Sequence, residues 1–127
     1  MKQAEINLRF APERKLVSAA RHALDRLENL LPSEKLEEVR MVVSELMSNS
    51  ILHAGLSPDD RISLSVSVSA GSVHGRVCDP GPGFEVPSKL RPRPDLSGGW
   101  GLPIVDRISD RWGVERNSHM CVWFEID

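Results

Sequence analysis

The stretch that decides the fold is RISLSVSVSAGSVHGRVCD, residues 61–79. Residues 61–69 alternate strictly between apolar residues and polar ones, mostly serines, which is the period of a half-buried strand. The Ala-Gly-Ser segment at 70–72 is typical of a tight turn, so a second strand is expected over 73–78. The serines on one side also predict that one face of the sheet stays partly solvated.

Outside this hairpin, alternation, apolar stripes and Pro/Gly punctuation predict the remaining elements. They are a strand at 5–10, a helix opened by Pro12 and ended at 30–32, a helix from Ser33 to about His53 stopped by Gly55, a loop at 79–101, a short helix at 102–109, and strands at 111–116 and 119–127. This order predicts an α/β two-layer sandwich, with helices on one face of a mixed, mostly antiparallel sheet.

Bulk composition describes a single ordinary domain. The 127 residues fit one unit, 1–127, with 40% hydrophobic and 27% charged residues. The net charge of -2 argues against direct nucleic-acid binding, and no apolar run reaches the ~20 residues that cross a membrane. A cytoplasmic protein is therefore expected, in which Cys78 and Cys121 are reduced thiols packed in strands.

The helix predicted over 33–53 has two different faces. At ~100° per residue, one arc is nearly all apolar and holds Leu36, Val39, Val43, Leu46, Met47 and Ser50. The opposite arc mixes apolar and polar residues: Met41, Glu45, Asn49, Leu52 and His53. A solvated face would usually carry Lys, Glu and Arg, so this mixed arc indicates a surface that lines something.

Three segments have residue types suited to chemistry. Glu45 and Asn49 lie one helical turn apart, where an amide oxygen can bind Mg²⁺ and a carboxylate can accept a proton. Asp79 follows a strand and precedes Gly81 and Gly83, which permit close backbone approach. The glycine-rich segment 97–103 leads into a helix, where backbone N–H groups favour anions. Each segment also has an interpretation without function. The first can be scattered polar residues on a helix, the second a surface turn, and the third a flexible linker.

In their order along the chain, these motifs resemble the GHKL-type ATP-binding domain shared by gyrase, a heat-shock chaperone, histidine kinases and MutL. VVSELMSNSILHA at 42–54 is similar to the family's Glu–Asn–His helix motif. VCDPGPGF at 77–84 resembles its aspartate-glycine motif, and SGGWGLPIVDRISD at 97–110 its glycine motif and following helix. The short form of the chain is most similar to bacterial anti-sigma factor serine/threonine kinases.

The resemblance implies a Bergerat-type fold that binds ATP and Mg²⁺. It implies that Asp79 binds the adenine amine, that Asn49 holds magnesium, and that Glu45 is the catalytic base. It places the lid at about 84–100. The other residues that it implies at the nucleotide are Gly81, Gly83, Gly98, Gly99, Gly101 and Leu102. For His53 a structural role at the helix end or lid is favoured.

The resemblance further implies a kinase that phosphorylates an anti-sigma antagonist of the STAS type, or sequesters a sigma factor, with a homodimer as the expected assembly. The kinase-type relatives carry an arginine just before the lid glycines, where this chain has Ser97. The basic residues earlier in the loop either substitute for this arginine or only solvate the loop; they are Lys89, Arg91 and Arg93. The alternative is thus an ATP-gated binding module with little or no kinase activity.

Two weaker alternatives are a histidine kinase catalytic domain, which lacks a preceding hairpin here, and a structural domain that binds no nucleotide. Among the aromatic residues, Trp112 and Trp123 are expected to fill the core. Trp100 is expected either to cap the nucleotide or to contact a partner.

Overall fold

The structure, a computed structural model, describes residues 3–81 and 102–127. Its elements are β1 (Gln3–Phe10), α1 (Leu16–Ala23), a 3-10 helix (Leu24–Leu27), α2 (Ser33–His53), β2 (Ile62–Ser69), β3 (Ser72–Asp79), α3 (Leu102–Ile108), β4 (Arg111–Arg116) and β5 (Met120–Ile126). The strands form one sheet in the order β1-β2-β3-β5-β4, and each neighbouring pair is antiparallel. The two-layer α/β sandwich is confirmed.

The hairpin predicted from 61–79 is present in the expected register. Ser69 pairs with Ser72, and the two residues between them, Ala70 and Gly71, have φ of 52° and 79°. Two successive left-handed residues make the kind of tight turn whose twist matches that of the flanking strands. Strand β3 extends past the predicted 73–78 by one residue at each end, and therefore includes Asp79.

The core lies between the sheet and the helices. The apolar residues of β2 are buried, and α2 contributes the apolar arc predicted for it. Leu36, Val39, Val43, Leu46 and Met47 of this arc are all 3% exposed or less. Gly55, at φ 65°, follows the last turn of α2 and ends it as predicted.

The first helix differs from its prediction at both ends. It begins at Leu16 and not at Pro12, because Glu13 donates to the carbonyl of Ala11 and Leu16 donates to that of Glu13 in a preceding turn. The α-helix ends at Ala23, and the next residues continue as a 3-10 helix. In α2, Ser33 is the first helical residue, with Pro32 at the cap position and no side-chain cap.

Trp123 is not part of the core, contrary to the prediction for both strand tryptophans. Trp112 packs against the core, but Trp123 lies half-buried on the opposite face of the sheet, with its ring stacked on His74 at 6.3 Å. The reason is the alternation of β5, which turns Val122 and Phe124 toward the helices and Trp123 away from them.

The two cysteines form a disulfide, so the prediction of free thiols is wrong. Cys78 on β3 and Cys121 on β5 are register partners, and their Cα atoms are 4.1 Å apart. They are separated by 43 positions in the chain. Only the pairing of β3 with β5 brings them together.

Within the described residues, no helix combines the length and hydropathy needed to cross a membrane.

Gly75 is required by packing between β3 and β5. A Cβ at this position would lie 2.2 Å from the ring of Phe124, which is fully buried. We expect Gly75→Ala to lower the free energy of unfolding by about 1–3 kcal/mol, because the overpacked core must shift. Urea unfolding followed by fluorescence measures the loss. The exposed Ser72→Ala should change it by less than about 0.5 kcal/mol, and equal stabilities of the two variants would contradict this packing.

Candidate functional site

The site is built where the second half of α2 meets the end of β3. Ser50 Oγ donates a hydrogen bond to Asp79 Oδ2 at 2.8 Å, and the two residues are 5% and 3% exposed. A buried carboxylate is costly unless it is hydrogen-bonded. Ser50 supplies one such bond and thereby fixes the carboxylate against the helix.

The other carboxylate oxygen is held by the backbone beyond the strand. The amide of Gly81 donates to Asp79 Oδ1 at 2.9 Å. A Cβ on Gly81 would lie 2.3 Å from the carbonyl oxygen of Ala54, at the end of α2. Glycine is therefore needed here for a close approach to the helix end, and this contact sets where the chain leaves β3.

Asn49 directly precedes Ser50 on α2 and is 4% exposed. Among the described residues, its Nδ2 has no hydrogen-bond partner. An unsatisfied buried donor costs about 1–3 kcal/mol, so an acceptor brought by a ligand would be stabilised there. The amide side chain has the atoms that its predicted role needs: Nδ2 can donate to a phosphate oxygen, and Oδ1 is of the oxygen type that Mg²⁺ prefers.

The remainder of the mixed arc forms an open rim. Glu45 is half-buried, one turn before Asn49, while Met41 and Leu52 are 47% and 57% exposed. The described residues hold no group of three or more His, Cys, Asp or Glu side chains placed for a metal ion. A cation at Asn49 would therefore take other ligands from nucleotide phosphates and water.

A polar network holds α1 and the 3-10 helix against the other side of α2. Arg21 donates to Ser44 Oγ at 2.9 Å, and Arg40 bonds Glu37 at 2.6 Å and also Asp25. The hydrogen bond with Glu37, opposed by partial burial and assisted by Asp25, raises the pKa of Arg40 above its ordinary value. The network ends at Ser44, one residue before Glu45, and so fixes the helix that carries the site.

Several predicted site residues lie outside the described part of the chain. They are Gly83, Gly98, Gly99 and Gly101, together with the lid at 84–100 that includes Ser97 and Trp100. The side chain of His53 is not described either. Leu102 is described and is fully buried in the hydrophobic core.

Ser50 is the functional residue that sequence reasoning missed, because it was placed with the residues that pack on the sheet. One signal could have identified it. A serine on an otherwise apolar arc, if buried, needs a hydrogen-bond partner. The sequence does not show that the partner is Asp79, 29 positions later.

Comparison with known proteins confirms the resemblance drawn from the three motifs. The histidine kinase-like ATPase domain family matches residues 10–126, nearly the whole chain. The chain belongs to this family.

Two anti-sigma F factors are among its relatives. That of Clostridium botulinum (strain Eklund 17B / Type B) is 30% identical over 124 residues, covering 91% of this chain and 87% of the relative. That of Geobacillus stearothermophilus is 32% identical over 90 residues, covering 65% of this chain and 62% of the relative.

Solved structures share the fold. A crystal structure of the RsbU and RsbW domains of Rv1364c from Mycobacterium tuberculosis superposes with a TM-score of 0.74 at 12% identity. It covers 97% of this chain, which spans about a third (32%) of that longer chain. The blue-light activated histidine kinase of Erythrobacter litoralis gives a TM-score of 0.50 at 17% identity, over 92% of this chain and 61% of its own.

The Ser50–Asp79 bond should contribute measurably to stability. We expect Ser50→Ala to lower the free energy of unfolding by about 1–3 kcal/mol, because a buried carboxylate oxygen loses its donor. A double-mutant cycle with Asp79→Ala should give an interaction energy of about 0.5–3 kcal/mol. Ser48→Ala, on the same helix, serves as the matched control. Additive losses in the cycle would mean that the bond contributes nothing.

Proposed function

We propose that this protein binds ATP with Mg²⁺ and is a protein serine/threonine kinase that controls a sigma factor. The observation that carries the proposal is the arrangement at α2 and β3. A buried Asp79 is oriented by Ser50 and Gly81, and Asn49, which precedes Ser50 on α2, is buried with an Nδ2 donor that has no partner among the described residues. Membership of the histidine kinase-like ATPase domain family supports the same ligand.

At the base end of the nucleotide, Asp79 accepts a hydrogen bond from the exocyclic amine of adenine. Its carboxylate is held at both oxygens, and each oxygen keeps a further lone pair for a ligand. A preoriented acceptor favours adenine over a base that presents a carbonyl at the same position, because two acceptors cannot pair. Gly81 keeps the backbone close to the helix end and leaves the base unobstructed.

At the phosphate end, Asn49 would hold the cation through its amide oxygen, and its amide nitrogen could donate to a phosphate oxygen. Magnesium, when bound, neutralises charge on the phosphates. Glu45, one turn away on the open rim, accepts the proton of the attacking serine hydroxyl as the serine oxygen bonds to the γ-phosphorus, the bond to the β–γ bridging oxygen breaks and ADP leaves. The family resemblance adds four glycines to the proposed nucleotide site, and they lie outside the described residues: Gly83, Gly98, Gly99 and Gly101.

The protein partner is an anti-sigma antagonist of the STAS type, which the kinase phosphorylates. The phosphorylation state of this antagonist then decides whether a sigma factor is free or sequestered. Similarity to anti-sigma F factors supports this assignment. The proposed setting is the cytoplasm, where sigma factors act, and the proposed assembly is a homodimer.

The second candidate, an ATP-gated binding module without kinase activity, is favoured by Ser97 in place of the family's arginine. That loss would leave charge in the transition state less stabilised.

Asn49→Ala tests the nucleotide site. We expect its affinity for Mg-ATP to fall at least about tenfold, which corresponds to about 1.4 kcal/mol, because both the cation ligand and the phosphate donor are lost. Isothermal titration calorimetry with and without Mg²⁺ measures this change. Ser48→Ala should bind as the wild type does. Unchanged affinity in Asn49→Ala would show that the nucleotide binds elsewhere.

Glu45→Gln separates binding from chemistry. The variant should bind Mg-ATP as the wild type does, but transfer of radiolabelled phosphate to a STAS-type antagonist should fall by about 10²- to 10⁴-fold, since the proton acceptor is removed. If the wild type binds ATP and transfers no label, the non-catalytic module is the correct function. Full transfer by Glu45→Gln would exclude Glu45 as the base.

A further inference from the structure

We propose that Cys78 and Cys121 are a reversible redox-modification site whose oxidation state sets the affinity of the nucleotide site. The pair forms a disulfide between β3 and β5, and Cys78 directly precedes Asp79. The effect on affinity depends on the ATP binding proposed above. The effect of the disulfide on the ends of β3 and β5 does not depend on ATP binding, so the effect on affinity and the effect on the strands can be measured separately.

The disulfide lies at the end of the β3–β5 ladder that carries the site. The last three rungs pair Val77 with Val122, Cys78 with Cys121, and Asp79 with Met120. The covalent bond is therefore one rung from the carboxylate that Ser50 and Gly81 hold. In the dithiol form, only noncovalent contacts keep these strand ends together, so Asp79 has more positions to occupy.

The pair is also placed where small redox reagents can reach it. Both cysteines are half-buried, on the sheet face opposite the helices, whereas Asp79 faces the helices. This separation lets a reagent act at the sulfur atoms without entering the nucleotide site. The chain has two cysteines in all, so no competing pairing exists within one molecule.

The oxidation balances with a low-molecular-weight disulfide as the oxidant. One cysteine thiolate attacks the reagent's S–S bond and expels a thiolate, which leaves a mixed disulfide on the protein. The second cysteine then attacks the protein sulfur of that mixed disulfide and expels the second thiolate. The Cys78 and Cys121 thiols lose two electrons and two protons, and the reagent is reduced to two thiols. A dithiol reductant reverses the reaction.

The direction of the coupling follows from preorganisation. The disulfide form holds Asp79 in the position that the nucleotide requires, so less ordering remains to be done on binding. We expect the disulfide form to bind Mg-ATP at least about fivefold more tightly, the lower end of ordinary coupling between two sites. By reciprocity, saturating Mg-ATP should lower the reduction potential of the pair by about 20 mV, the same fivefold factor for two electrons.

The test uses the full chain equilibrated with oxidised glutathione or with dithiothreitol. Mass spectrometry and thiol titration should find a disulfide in the first form and two thiols in the second. Calorimetry should then show tighter Mg-ATP binding in the first. The Cys78→Ser/Cys121→Ser double variant, treated with the same reagents, should show no redox dependence. Failure of the disulfide to form, or measurable Mg-ATP binding with equal affinity in the two forms, overturns the proposal.

Hydrogen exchange distinguishes this proposal from the proposed function. The Gly81 amide donates to Asp79. Without nucleotide, its hydrogen exchange should be at least about fivefold faster in the dithiol form than in the disulfide form, by the same coupling factor. This difference is expected even if the protein does not bind ATP. If neither form binds ATP but this exchange difference is found, the proposed nucleotide function fails. The proposed effect of the disulfide on the strand ends at Asp79 is then still supported. If exchange at Gly81 is the same in both forms, the redox proposal fails whatever ATP does.

Discussion

The hydrogen bond from Ser50 to Asp79 joins the helical layer to the sheet at the place where the candidate site lies. It connects residues 29 positions apart, and both partners are almost completely buried. Around it, Gly81 packs on the end of α2 and donates to the same carboxylate, and the buried Asn49 directly precedes Ser50 on the helix. Core packing sets the position of α2 on the sheet, and this bond fixes the orientation of the Asp79 carboxylate against the helix.

A second constraint is the alternation of strand residues between the two faces of the sheet. Successive side chains of β3 point to opposite faces, so Asp79 faces the helices and Cys78 does not. The carboxylate proposed for ligand recognition and the sulfur proposed for redox exchange are thus adjacent in sequence but lie on opposite faces of the sheet. The same alternation places Trp123 on the face of the disulfide and away from the core.

Local patterns predicted most of the fold because its elements have strong periodicity. The alternation of β2 and the two arcs of α2 each correspond to what is buried in the structure. Predictions were weaker where a short-range interaction competes with propensity, as in the turn that delays α1 beyond Pro12. In the site, Asn49 and Asp79 were identified from the sequence by motif order, whereas Ser50 was assigned to packing because its partner is distant in the chain.

The sequence by itself determined the two-layer class, the strand and helix order, and the family to which the motifs belong, because each is encoded in residues a few positions apart. Tertiary structure alone decided that Ser50 orients Asp79, that Asn49 is buried with a donor unpaired among the described residues, and that Cys78 meets Cys121. These are contacts between elements, and their partners follow from strand register and helix packing, which no local pattern specifies.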